Sequence, residues 1–282
     1  GVVQSVPEAY ASGKKHGVKV VYGIEGYLAD SAVDDAPTYH VTILAMNREG
    51  LQALYRLVSW SHLNHFYRHP RILRSELVAA RQHLLIGSAC AAGEVYRAVL
   101  QGADDAELSR IASFYDYLEI MPPRNDEFLV RSGKLGSLQD IERIIARIYR
   151  IGSQLGIPVV ATGDVHFLDP ADEVYRRILM AKQDYVDADK QAPLYFRTTD
   201  EMMEEFAFLG EEACNEVVLV NPLRVCDMVE QLCPVPKELA IPRIDGAEEA
   251  VRSNAYARAR ELYGDPLPEV VRARLEKELE AI

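Results

Sequence analysis

The chain runs to 282 residues, 49% of them hydrophobic, which is enough to bury one large core with a small appendage. Its 31 Lys and Arg against 43 Asp and Glu leave a net charge of −12, the opposite of a general nucleic-acid binder, so any DNA contact has to be local. No run approaches the roughly 20 apolar residues of a membrane span, the first residues lack a charged start followed by an apolar stretch, and four cysteines without paired spacing suit free thiols in a reducing cytoplasm.

Five short apolar, β-branched runs read as strands: Val18 to Tyr22, Tyr39 to Ala45, Leu84 to Ile86, Tyr117 to Ile120 and Ile157 to Ala161. Helical patterns separate most of them. Asn47 caps a segment with Leu51, Leu54, Tyr55 and Val58 on one face. Ser137 with Asp140 forms a capping box ahead of Ile141, Ile144, Ile145 and Ile148. Asp169-Pro170 opens a helix carrying Val174, Ile178 and Leu179, and Thr198 with Glu201 opens one that Gly210 closes. This alternation predicts an α/β fold with a parallel sheet or barrel. One connection conflicts with it, because Asp30 to Pro37 is too short for a parallel crossover. Pro234, Pro236 and Pro242 mark a boundary between Cys233 and Asp245, followed by a charged helical stretch from Ala247 to Ile282.

Thr162-Gly163-Asp164-Val165-His166 follows the last predicted strand, where β/α barrels gather functional groups. Asp164 and His166 there pair a carboxylate with an imidazole, suited to a divalent cation. The alternative is that Asp164 caps the next turn and His166 bonds to it. Glu25 and Cys90 each fall just past a predicted strand and are also ligand types, while His40 lies near the start of its own strand and reads equally as a core histidine. Together the five offer the mixed donors of a multinuclear hydrolytic site. Ser61 to Arg71 interleaves His62, His65 and His69 with aromatic and basic residues and reads as a solvated loop anchored by its aromatics. Arg68, Arg71 and Arg74 are its candidates for touching a phosphate backbone. Cys214, Cys226 and Cys233 read as core.

Several motifs in order carry a family resemblance: Tyr22-Gly23-Ile24-Glu25, Pro37 to Thr42, Phe66-Tyr67-Arg68 with Pro70-Arg71-Ile72, Gly87 to Cys90 with Gly93-Glu94, Glu119 to Pro123, Ala161 to His166, Phe196 to Thr199 and Tyr263 to Pro268. Over nearly its whole length the chain resembles the polymerase and histidinol phosphatase (PHP) domain region of bacterial replicative DNA polymerase III alpha subunits of the PolC type. The resemblance implies a distorted (β/α)7 barrel over residues 1–240 and the start of the polymerase palm over 241–282. Glu25, His40, Cys90, Asp164 and His166 match family ligand positions for divalent ions, zinc, manganese or magnesium. The family's first ligands, a His-x-His pair, an acidic residue and a histidine, are expected before Gly1, so the chain holds part of the site. A proofreading exonuclease domain interrupts typical members where Asp30 to Pro37 stands here. The implied function is that of a fragment of a cytoplasmic replicative polymerase, whose PHP domain either trims misincorporated 3′ ends or acts as a metal-stabilised scaffold. The implied partners are primer-template DNA, the sliding clamp and other replisome subunits. The alternatives are a stand-alone phosphoesterase for a small phosphate monoester and a non-catalytic scaffold.

Overall fold

The computed structural model describes residues 3–185, 187–235 and 244–282. The chain divides into two compact units, Gly1–Val235 and Pro236–Ile282. In chain order the first holds α1 (Val6–His16), β1 (Gly23–Ala29), β2 (Thr38–Ala45), α2 (Arg48–Leu63), β3 (Phe66–Tyr67), β4 (His69–Leu73), α3 (Arg74–Ala80) and β5 (Leu84–Gly87). It continues with α4 (Glu94–Leu100), α5 (Asp105–Ala112), β6 (Leu118–Ile120), α6 (Phe128–Arg131), α7 (Leu138–Leu155), β7 (Val159–Ala161), α8 (Glu173–Lys182), α9 (Thr199–Glu205), α10 (Glu211–Asn215) and α11 (Asn221–Asp227). The second unit holds α12 (Ala247–Tyr263) and α13 (Glu269–Ala281). No described helix is long and apolar enough to cross a membrane.

The fold is mixed α/β, with a five-stranded sheet ordered β3-β4-β1-β2-β5 and a two-stranded parallel sheet of β6 and β7. A parallel bridge between Gly87 and Tyr117 joins the two. The expected parallel order is corrected at its start, since β1 pairs antiparallel with β2 and β2 antiparallel with β5. A hairpin needs only a short loop, so the stretch from Asp30 to Pro37 suffices without a crossover. The first strand also lies later than expected: Val18 is 62% exposed, and the pairing residues are Gly23 to Ala29. Alternation explains the shift, because Ile24, Gly26 and Leu28 face the core while Glu25 and Tyr27 take the other face.

The amphipathic readings hold where burial is strongest. Ile141, Ile144, Ile145, Ile148 and Ile151 of α7 are all buried, behind the capping box of Ser137 and Asp140. Asn47 accepts the Gly50 N–H at 2.9 Å and α2 buries Leu51, Leu54 and Leu57. α8 forms after Asp169-Pro170 but differs from these helices, since Ile178 is 60% and Leu179 61% exposed and it has no buried residue. Ser61 to Arg71 is ordered structure rather than a solvated loop: His62 lies in the last turn of α2, β3 and β4 form a tight hairpin, and His65 Nε2 lies 2.8 Å from Glu76 Oε1 and 3.1 Å from Trp60 Nε1. Of the cysteines expected in the core, Cys214 is buried, Cys226 is half-buried and Cys233 is exposed. The expected 240/241 boundary, with Pro236 and Pro242, lies outside the described residues.

Candidate metal centre

The register of β1 and β2 builds the centre. Glu25 stands opposite Thr42 and Tyr27 opposite His40, so Glu25 and His40 are diagonal neighbours on one face of the sheet. Glu25 is therefore inside a strand rather than beyond its end. The Tyr27 ring lies edge-on to His40 at 5.1 Å and stacks on His69 at 4.5 Å, which fixes the imidazole from one side.

β5 pairs with β2 through Thr42 and Gly87, so the loop that follows Gly87 delivers Cys90 beside His40. Two backbone bonds set this loop: Gly93 N–H donates to Cys90 O at 2.7 Å and His40 N–H to Ala92 O at 3.1 Å. Gly93 is required here because a Cβ would stand 2.1 Å from Ser88 O. Ala89 adopts the left-handed region at φ 56°, an uncommon state for a residue with a Cβ.

The side chains converge. His40 Nδ1 lies 2.6 Å from Glu25 Oε1 and 3.2 Å from Cys90 Sγ, and Cys90 Sγ lies 3.7 Å from Glu25 Oε1. Among the described residues, Glu25, His40 and Cys90 form a cluster whose donor atoms all lie within 4.8 Å of one another. The hydrogen bond from His40 holds the Glu25 carboxyl below the usual carboxylate range, against the opposing effect of burial. Burial pushes the Cys90 thiol up to about 12, and the charges of Glu25 and Asp164 add to the rise. In the absence of a cation this thiol is protonated at neutral pH and packs as a neutral group.

Asp164 and His166 follow β7 and stay outside that tight cluster. Both readings of their motif are realised in part: His166 Nδ1 donates to Asp164 O at 2.7 Å, as in a local turn, while both side chains remain partly open at 43% and 34% exposure. Asp164 sits at φ 49°, a left-handed state that Asp tolerates better than most residues, and Asn125 steadies it by donating from Nδ2 to Gly163 O at 3.0 Å. Burial raises the Asp164 carboxyl and His166 opposes the rise.

All three arginine candidates have internal partners, two of them close. Arg71 is 3% exposed and donates to the carbonyls of Ala32, Val33, Asp34 and His65, so it ties the β1–β2 loop to β4 rather than facing a phosphate. Arg74 pairs with Asp30 and with Glu94 at 2.9 Å. Arg68 is the most open, 73% exposed over the Tyr67 ring, with a long ion pair to Asp35 at 3.8 Å.

Three buried polar residues near these loops carried no chemical signal in the sequence. Glu119, 7% exposed, is held by bonds from Thr42, Thr162 and Ala89, and its burial pushes the carboxyl up. Asp126 is pushed up to about 6 by burial. Tyr96 beside it is buried. Only the Glu119-Ile120-Met121-Pro122-Pro123 motif could have pointed to the first.

Residues 1–125 match the PHP domain family. The chain is 51% identical over 267 residues to the DNA polymerase III PolC-type of Clostridium perfringens, covering 95% of this chain and 18% of that one. It is 50% identical over 268 residues to that of Caldanaerobacter subterraneus, with 94% and 19% covered. The corresponding protein of Bacillus subtilis is 46% identical over 247 residues, with 86% and 17% covered. The chain thus spans less than a fifth of the length of these relatives.

Proposed function

We propose that this chain, which belongs to the PolC-type DNA polymerase III family and carries part of its PHP domain, holds a divalent-metal centre for phosphoester chemistry at DNA 3′ ends. The observation that carries this is the convergence of a carboxylate, an imidazole and a thiol from β1, β2 and the β5 loop within 4.8 Å. That donor set fits a borderline dication, zinc or manganese ahead of magnesium, because sulfur and imidazole suit softer ions. Glu25, His40 and Cys90 would hold the ion, with Asp164 and His166 as further donors from the neighbouring strand end. When bound, such an ion lowers the pKa of water and neutralises phosphate oxygens.

The protein's own groups prepare the site for that role. Glu25 is kept ionised by His40. His166 donates its Nδ1–H to the Asp164 carbonyl at 2.7 Å, which orients the ring and leaves Nε2 as the nitrogen that would face the ion. The left-handed turn at Asp164 fixes this pair.

In the parent protein the sheets of the first unit read as arcs of a distorted (β/α)7 barrel, and residues 241–282 as the approach to the polymerase palm. The parent is read as a cytoplasmic DNA-directed DNA polymerase that meets primer-template DNA, the sliding clamp and other replisome subunits. A second reading, a metal-stabilised scaffold without chemistry, is favoured by the position of Asp164 and His166 outside the tight cluster. Replacing Asp164 and His166 together by Ala in the full-length protein separates the two. Loss of 3′ trimming with polymerisation retained supports the hydrolytic reading. Unchanged metal content and unchanged trimming sink it.

A further inference from the structure

Glu119 lies on β6, the strand between the β5 end that carries Cys90 and β7, which leads to Asp164. Its carboxylate reaches both of those loops, besides a bond from Thr42 on β2. Oε1 accepts from the Ala89 N–H at 3.3 Å, one residue before Cys90, and Oε2 accepts from the Thr162 hydroxyl at 3.1 Å, two residues before Asp164. Its own N–H donates to Ser88 Oγ at 2.9 Å. The carboxylate is buried, and a buried carboxylate is tolerated only where its oxygens are well partnered.

Resting on the reading of Glu25, His40 and Cys90 as a metal centre, we propose that Glu119 is a positioning residue whose carboxylate clasps the Cys90 loop to the Asp164 loop, setting donors from two strand ends against one cation. The strain pattern fits this role. Ala89 at φ 56° and Asp164 at φ 49° are the left-handed residues of the two loops, and such states persist only where their surroundings over-determine them. Glu119 bonds directly to Ala89 and grips the other loop through Thr162. Close packing holds the carboxylate in place, since a Cβ at Gly87 would fall 2.6 Å from Glu119 Oε1.

The test uses the full-length polypeptide stripped by chelation and titrated with Co2+ alone. Binding is followed by sulfur-to-cobalt charge-transfer absorption, assigned by its loss in Cys90→Ser, and unfolding of the metal-free protein is measured beside it. Glu119→Met removes both acceptors at similar volume and is expected to weaken Co2+ binding about 10–100-fold. Thr162→Val severs one arm and is expected to weaken it less. Glu119→Gln still offers an oxygen to Ala89 and an amide to Thr162, and is expected to restore most of the affinity. Wild-type Co2+ affinity in both Glu119→Met and Thr162→Val overturns the positioning role and leaves the metal centre standing. Should Glu119→Met not fold, wild-type affinity in Thr162→Val alone overturns it. Absence of the cobalt band in the wild-type protein overturns the metal centre and the positioning role together.

Discussion

Arg71→Met distinguishes a structural arginine from a DNA-binding one. Arg71 donates through Nε to His65 O at 3.1 Å, through Nη1 to Val33 O at 2.6 Å and Asp34 O at 3.4 Å, and through Nη2 to Ala32 O at 3.2 Å. Met keeps the apolar stem and removes every donor. Hydrogen bonds from a charged group contribute about 1.5–3 kcal/mol each, but Ala32, Val33 and Asp34 are exposed and regain water when the guanidinium is gone. The net loss expected is about 3 kcal/mol, most of it from the His65 carbonyl and the shortest loop bond. For a unit of this size that lowers Tm by about 6–12 °C. Urea unfolding followed by circular dichroism measures the stability, and fluorescence anisotropy of a labelled single strand at low salt measures DNA affinity in the folded protein. A stability change under about 0.5 kcal/mol together with a drop in DNA affinity would refute the structural account.

Further outcomes follow from the centre and its loops. Gly93→Ala places a Cβ 2.1 Å from Ser88 O and 3.0 Å from Cys90 O, so the Cys90 turn has to open; a loss of about 1–3 kcal/mol and weaker Co2+ binding are expected, and a stable variant with full metal affinity contradicts the geometry. Zinc or manganese at 100 times its Kd should stabilise the wild-type protein by about 2.7 kcal/mol, an effect that chelation reverses and His40→Ala abolishes. Thermal melts with and without metal check this, and an equal response in both proteins places the ion elsewhere. Asp126 binds its proton more tightly when folded, at about 6 against an ordinary 3.8, so chelated protein should lose stability as pH rises from about 4 through 6. The difference amounts to about 3 kcal/mol at most, and Asp126→Asn should remove that slope; parallel pH profiles for the two proteins would show that the carboxyl is not held as described.

Local chemistry was legible residue by residue. The caps at Asn47, Ser137 and Thr198 act as their side chains predict, because a helix start depends on one oxygen and the amides two or three residues on. The isoleucine stripe of α7 was equally plain, since five large apolar groups at helical spacing have one stable place, the core. Cys90, Asp164 and His166 could be found at strand ends because a short apolar run marks where its strand stops.

What escaped the sequence depended on distant partners. The run Val18 to Tyr22 has strand composition, yet pairing with β2 selected Gly23 to Ala29, the frame in which alternation buries Ile24 and Leu28. The same register turned Glu25 and His40 into diagonal neighbours. Arg71 resembled a surface cation until the β1–β2 loop placed three carbonyls around it and His65 a fourth, and Glu119 was one acid in an apolar motif until β5 and β7 closed on either side. The sequence by itself determined the capped starts of α2, α7 and α9 and the chemical types available for a cation. Tertiary structure alone decided which donors meet, because a carboxylate, an imidazole and a thiol far apart in the chain converge only through the strand register that seats them.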